Sequence, residues 1–186
     1  MTIRHKIKGL AVSLSIIALV PVVALAGAGT FQAVDAHFFG TTDPANGAGT
    51  LTRHADSIHV RATMAGLDPS ASYSAWYVIF NRPDQCAGGP GACDLADLGN
   101  PDVRLGVLNA GGFVSTADGT GYFTGTLQTG QPPAGMCCFG RLMHGYKSEV
   151  HIILQSHGPA VAGTVATEIA LPTGADQFAI VFPPTN

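Results

Sequence analysis

Alternation of apolar and polar residues at positions 57–64 is the most regular pattern in the chain. Every second residue there is apolar, and a period of two is typical of a strand with one buried face. His59 and Arg61 occupy polar positions, so we expect their side chains to point away from the core. Residues 49–53 closely precede this strand, and the two segments together predict a hairpin.

The stretch from Tyr73 to Phe80 is the most strongly β-prone part of the chain. It follows a turn at residues 66–69 and places Trp76, Val78 and Phe80 on one face. The opposite face carries Tyr73, Tyr77 and Ile79. Because both faces are apolar, we expect this strand to lie in the middle of a sheet.

Further strands are predicted at residues 103–114, 149–155, 164–170 and 177–182. Asp118-Gly119 predicts a second hairpin, leading from the first of these into an alternating strand after residue 121. Gly158-Pro159 predicts that the chain leaves the ladder sharply after the 149–155 strand. No segment after residue 30 sustains a helical period over three turns. The pattern predicts an all-β, Greek-key β-sandwich of seven to nine strands.

Residues 1–26 have the order of a helical secretory signal peptide. Basic residues precede an apolar run at positions 10–25, and Ala24 and Ala26 supply the small side chains of a cleavage site. An uncleaved membrane anchor is the alternative, because the apolar run is close to bilayer-spanning length. We expect a secreted or periplasmic protein exported by general secretion, in contact with a membrane only if the leader is uncleaved. Residues 27–186 then predict a single domain.

Loss of the leader would change the charge of the chain. Six Arg and Lys residues follow position 26, against twelve Asp and Glu, so the mature net charge is about −6. Nucleic acid is excluded as a partner because phosphate binding requires a basic surface. The expected partner is a protein, a glycan or a component of the cell envelope.

All four cysteines, Cys86, Cys93, Cys137 and Cys138, lie in two long loops. Exported proteins form and keep disulfides. The flexible segment between Cys86 and Cys93 favours a bridge between those two, since it lets their Cα atoms approach to about 5–6 Å. A bridge from one loop to the other through Cys137 or Cys138 is the alternative, and the adjacent pair forms a direct bridge only with strained geometry.

Histidines are the candidate metal ligands. His59, His144, His151 and His157 offer imidazoles for copper or zinc. None of them shows the His-x-His or His-x-x-x-His spacing that places two rings side by side, so the competing interpretation is a set of surface histidines. The two alternatives are therefore a chain that binds a metal cofactor and a chain that binds none. In a chain without a metal, His157 would cap the corner at Gly158-Pro159.

Signals for catalysis are weak. Gly-x-Ser-x-Gly is absent, and the two glutamates do not form a recognisable pair of the glycosidase kind. The first long loop carries four side chains with oxygen ligands for calcium, Asp94, Asp97, Asn100 and Asp102. They do not follow the calcium-loop spacing, and this acidic loop is expected to be solvated. Four tyrosines are candidates for an exposed binding face, although their strand positions favour the core; they are Tyr73, Tyr77, Tyr122 and Tyr146.

Three segments carry a family resemblance: the turn at residues 65–69, the aromatic strand at 73–81 with the cysteine loop after it, and residues 156–160. Together they resemble a group of secreted bacterial β-sandwich domains and the CHRD domain, whose sandwich is similar to copper-zinc superoxide dismutase. The resemblance implies a Greek-key sandwich but no activity. Trp76-Tyr77-Val78 stands where the CHRD strand has His-x-His, so no metal set is carried over.

These observations favour a secreted, noncatalytic β-sandwich module with a structural or binding role. The alternative is an extracytoplasmic copper- or zinc-binding protein that uses the four histidines. A small hydrolase has the least support of the three.

Overall fold

The computed structural model describes residues 29–133 and 138–185. It is all-β, with eight antiparallel strands, three short 3-10 helices and one short α-helix among these residues. The strands are β1 Thr30–Phe38, β2 Pro44–Arg53, β3 Ser57–Met64, β4 Ala71–Phe80, β5 Leu105–Val114, β6 Gly121–Gln128, β7 Glu149–Pro159 and β8 Ala175–Phe182, and the α-helix is α1 Val165–Glu168. The predicted signal peptide, residues 1–26, lies outside the described residues. In the part that is described, no helix is long and apolar enough to cross a membrane.

The eight strands form one nearly closed sheet in the order β5-β4-β7-β8-β1-β2-β3-β6. Its two halves join through a short pairing of β1 with β8, at His37 opposite Ala179 and Phe38 opposite Phe178. β5 and β6, at the two ends of this order, contact each other. Because β4 and β5 form a hairpin while β6 returns to lie beside β3, the connections are those of a Greek key. The predicted all-β fold of seven to nine strands is confirmed.

The core lies between the two halves of the sheet. The predicted inward positions of β3, from Ile58 to Met64, are buried, and they face Val150, Ile152 and Leu154 of β7 in the same cluster. β4 lies between β5 and β7. Nine of its ten residues are buried, as expected for a central strand covered on both faces. Its second apolar face is therefore covered by something other than the core.

The predicted second hairpin is wrong. β6 pairs along its whole length with β3, from Gly121 opposite Met64 to Gln128 opposite Ser57, and β5 pairs with β4. The turn after β5 is instead anchored elsewhere, because Leu67 N–H donates to the Gly119 carbonyl at 3.0 Å. The turn signal was correct, but the strand that follows it crosses to the other half of the sheet.

Two predictions near the carboxyl end are also wrong. Residues 164–170 contain the helix α1, whose first turn closes through Glu168 N–H and the Thr164 carbonyl at 3.0 Å, and not a strand. β7 does not end at Gln155 but continues to Pro159, which lies opposite Ala71 after a register shift. Gly158, at φ 82°, absorbs this irregularity without ending the strand.

A buried arginine ties the end of the sheet together. Arg53 is fully buried and donates to the carbonyls of Gly145 and Ser148, each at 2.9 Å. It also donates to the carbonyls of Phe182 at 3.1 Å and Pro183 at 2.9 Å. Burial lowers its pKa to about 10, and the negative charge of Glu149 opposes that change.

Candidate functional site

A groove of about 1010 Å³ lies on the outer face of the β5-β4-β7-β8 half of the sheet. Its floor is the second apolar face of the central strands, and includes Trp76, Val78, Ile153 and Ala179. Its walls come from the loop after β1, the cysteine loop and Phe139. A largely apolar concavity with a few polar groups is the usual form of a small-molecule site.

Strand register explains how these residues meet. Ile153 lies opposite Trp76 on one side and Ala179 on the other, so three adjacent strands present apolar side chains in one row. His151 lies opposite Val78 and Val181 in the next row of the same face. Side chains two residues apart share a face of a strand, which places Glu149, His151 and Ile153 on the same face of β7.

The cysteine loop is stapled beside this line. Cys86 and Cys93 form a disulfide with their Cα atoms 5.2 Å apart, so the favoured pairing is confirmed. Asp97 is buried and accepts hydrogen bonds from the backbone N–H groups of Ala87 and Asp94 at 2.8 and 3.0 Å. The expectation of a solvated acidic loop is therefore wrong for this residue.

The second cysteine pair is only partly described. Cys138 is disulfide-bonded, and its partner is neither Cys86 nor Cys93, because those two bind each other. A bridge between the two long loops through Cys138 is therefore wrong. Cys137 lies outside the described residues.

Glu149 and His151 form a buried pair under the stapled loop. Glu149 is fully buried and accepts hydrogen bonds from Gly91 N–H at 2.6 Å and Cys93 N–H at 3.2 Å. Its carboxylate also lies 2.8 Å from Nε2 of His151. An ionised carboxylate only accepts hydrogen bonds, and Glu149 already accepts two from backbone N–H groups. We therefore assign the proton of this contact to Nε2 of His151.

This assignment defines what His151 offers to the groove. With hydrogen on Nε2, a neutral imidazole has an acceptor lone pair on Nδ1, and no described residue hydrogen-bonds to that atom. His151 is 8% exposed and its ring packs against Phe80 with the ring centres 4.9 Å apart. The interpretation as a surface histidine is wrong for His151, since its side chain is buried.

A second hydrogen-bonded chain lies at the other end of β4. Trp76 Nε1 donates to Oγ of Ser74 at 2.8 Å, and the same Oγ lies 2.9 Å from Nε2 of His157. Burial lowers the pKa of His157, against the opposing effect of Glu168. His157 therefore fixes Ser74 and Trp76, and does not cap a carbonyl at the corner.

The predicted metal ligands lie in different places. His59 is on the outer face of β3, with Nδ1 2.9 Å from Oγ1 of Thr126, and His144 lines a smaller pocket beside Lys147. Within residues 29–133 and 138–185, the one group of three potential ligands is Cys86, Cys93 and Asp97. Its two sulfurs are joined to each other, so they are not available as thiolates. Only His151 of the four predicted histidines lines the groove.

The charged groups that line the groove are acidic. Asp94 and Asp176 lie on its rim, and no lysine or arginine is among the described residues that line it. Gln155 donates through Nε2 to Asp176 at 2.7 Å. Its amide oxygen is buried and has no hydrogen-bond partner within the described part of the chain. A buried acceptor without a partner is uncommon in folded proteins.

The tyrosines that were candidates for a binding face do not form one. Tyr73 and Tyr77 are buried in the core, at 2% exposure each, and Tyr122 lies on β6, exposed on the other half of the sheet. Tyr146 is half-buried in the loop before β7. The aromatic residues of the groove are instead phenylalanines and Trp76.

Sequence reasoning missed the Glu149–His151 pair. The signal was present, because the two polar residues stand two apart at the start of a strand that is otherwise apolar as far as Leu154, and such residues share a face. Comparison with family models, with curated proteins and with solved structures finds no match for this chain. The resemblance to CHRD sandwiches therefore stays a prediction.

Proposed function

We propose that this protein is a noncatalytic, extracytoplasmic binding module whose small-molecule ligand occupies the groove over Trp76. The observation that carries the proposal is the combination of an apolar concave floor with one oriented acceptor, Nδ1 of His151. The volume of the groove, about 1010 Å³, is at the upper end of the range of about 300–1,000 Å³ that is typical of ligand sites. A small molecule fits this space better than a protein partner or a glycan chain, the partners that the sequence suggested.

The groups around the groove favour binding over catalysis. A histidine held by a carboxylate activates a nucleophile in many hydrolases. Here the serine hydroxyl that reaches an imidazole, Ser74, is fully buried and contacts His157. The sulfur of Cys93, next to Glu149, is oxidised in a disulfide. The Glu149–His151 pair is thus left to orient a ligand.

Copper or zinc binding is the second candidate, and one observation favours it. Metal-binding histidines commonly donate their other ring N–H to a carboxylate, as His151 does to Glu149. Elemental analysis of protein purified after growth with added copper and zinc tests this candidate. Stoichiometric metal that is lost in His151→Gln and retained in His59→Gln would favour it over a metal-free groove.

Export is the remaining part of the proposal. The Cys86–Cys93 disulfide is compatible with an oxidising compartment, and the leader pattern of residues 1–26 supports the same location. Amino-terminal sequencing of the protein recovered from the periplasm or medium should begin after Ala26. Recovery of uncleaved protein from the cytoplasm, with both thiols reduced, would argue against it.

The groove is tested with a neutral fluorescent probe, N-phenyl-1-naphthylamine, whose emission rises in an apolar site. Val181 is half-buried on the groove, so Val181→Trp should fill the floor and weaken binding of the probe about tenfold or more, which is about 1.4 kcal/mol. Val161→Trp is the matched control, since Val161 is 56% exposed outside the groove. Equal binding to all three proteins, or no binding, would count against the proposal.

A further inference from the structure

Three of the polar groups that face the groove offer hydrogen-bond acceptors. Nδ1 of His151 offers a lone pair, as assigned above. His37, which also lines the groove, has its Nδ1 3.1 Å from the carbonyl of Phe38. A carbonyl only accepts, so this nitrogen carries the hydrogen and Nε2 is an acceptor in the neutral ring. The amide oxygen of Gln155 is a buried acceptor without a partner among described residues.

Several donors near the groove are already in use. The N–H groups of Gly91 and Cys93 donate to Glu149, and the hydroxyl of Thr41 donates to the Phe38 carbonyl at 3.1 Å. Nε2 of Gln155 donates to Asp176. A ligand that satisfies this set must therefore bring its own hydrogen-bond donors.

The fixed charges favour a positive ligand. Asp176 is exposed on the rim and receives one hydrogen bond, from Gln155, which leaves its remaining lone pairs open. Asp94 lies on the rim as well. Below the floor, the negative charge of Glu149 is balanced by Arg53, which bonds to backbone carbonyls away from the groove. The rim acids therefore set the sign of the field that a ligand meets.

Aromatic side chains add a second attraction for a cation. The groove is lined by Phe39, Trp76, Phe80 and Phe139, and Phe139 is 53% exposed. A cation over the face of an aromatic ring gains about 0.5–2 kcal/mol. The same rings bury the apolar body of a ligand.

We propose that the groove ligand is a small organic cation, with an ammonium group that pairs with Asp176 and an apolar body that lies over Trp76 and Ile153. This inference rests on the proposed binding function and names the chemical class of its ligand. The acidic rim, the three acceptor atoms of His151, His37 and Gln155, and the aromatic floor each favour this class over a neutral or anionic one.

Fluorescence of Trp76, the one tryptophan in the chain, reports binding directly, because its indole lies in the groove floor. The probes are 2-phenylethylamine, 2-phenylethanol and 3-phenylpropanoate, which share an aromatic body and differ in charge. Near pH 7, the amine is expected to bind about tenfold more tightly than the alcohol, with the anion weakest. Raising the salt to about 0.5 M should reduce the advantage of the amine.

Asp176→Asn locates the charge. It should weaken binding of the amine about five- to tenfold and leave the alcohol unchanged, whereas Asp102→Asn should change neither. Asp102 is the matched control because it is exposed and does not line the groove.

The outcomes separate the two proposals. Equal affinity for amine and alcohol, or an equal effect of the two aspartate variants, would overturn the cation inference. The binding function would still stand if N-phenyl-1-naphthylamine is blocked by Val181→Trp. Failure of that probe and of all three phenyl compounds would instead overturn the binding function.

Discussion

Replacing Glu149 by glutamine removes one charge. It should also change the ring nitrogen of His151 that faces the groove from a hydrogen-bond acceptor to a donor. Gly91 donates to Oε2 of Glu149, whereas Cys93 and His151 both contact Oε1. If the glutamine oxygen keeps the bond from Gly91, its amide nitrogen replaces Oε1 and cannot accept from Cys93 or from Nε2 of His151. The imidazole can instead carry its proton on Nδ1, so that Nε2 accepts a hydrogen bond from the glutamine amide. The atom that faces the groove then changes from acceptor to donor.

The magnitude follows from the three hydrogen bonds of Glu149. Hydrogen bonds to a charged group contribute about 1.5–3 kcal/mol each, against about 0.5–1.5 kcal/mol for neutral ones. Neutralising the acceptor therefore costs about 3 kcal/mol over three bonds, and Arg53 also loses its compensating charge. We expect Glu149→Gln to lower the free energy of unfolding by about 3 kcal/mol.

Urea unfolding measures the stability, and long-range ¹H–¹⁵N spectra of the histidine ring identify the protonated nitrogen. Glu168→Gln is the control, because Glu168 receives hydrogen bonds from Ser72 and Thr164 at the surface and should lose far less stability. A wild-type His151 with hydrogen on Nδ1, or a Glu149→Gln protein as stable as Glu168→Gln, would refute the reasoning.

Three further predictions concern stability. Tyr77 has a buried hydroxyl without a partner among described residues, and burial raises its pKa. Tyr77→Phe should therefore raise the free energy of unfolding by about 1 kcal/mol. A loss of stability would show that the hydroxyl is hydrogen-bonded. Burial lowers the pKa of His157 below its ordinary value of 6.5, so the folded state disfavours the charged imidazole. The contribution of His157 to the free energy of unfolding is therefore complete above pH 6.5 and is lost as the pH falls through the folded pKa. Urea midpoints measured across this range should fall with pH less steeply in His157→Gln than in the wild type, and parallel curves would contradict the assignment. Joint replacement of Cys86 and Cys93 by serine opens a short loop and should cost about 2.5 kcal/mol. Thermal unfolding under oxidising conditions measures this loss against the wild type, and reduction should lower the stability of the wild type by more than that of the variant, because the disulfide of Cys138 is present in both.

Local patterns in the sequence were sufficient to predict the core. The alternation from Ile58 to Met64 has the two-residue period of a strand in an antiparallel sheet. The apolar residues of β4 predicted that both of its faces are buried. The Cys86–Cys93 bridge was predictable because the flexible segment between them is short. Each of these features depends on residues that are close together in the chain.

The groove depends on pairings between distant residues, which no local pattern encodes. Trp76, Ile153 and Ala179 meet through the registers of three strands, and a one-residue slip in any of them would turn its side chains to the other face. β1 was missed because its small and polar residues do not alternate clearly. The helix α1 was missed because its four residues are too few to show a helical period.

The central claim is that the ligand occupies the face of β4 and β7 that carries Trp76 and His151. Backbone ¹H–¹⁵N spectra recorded during titration with 2-phenylethylamine test it most directly. We expect the largest shifts at the Trp76 indole and at His151, Ile153 and Val181, with none at His59 and Thr126 on the other half of the sheet. Shifts concentrated on β3 and β6, or no shifts at saturating amine, would contradict it.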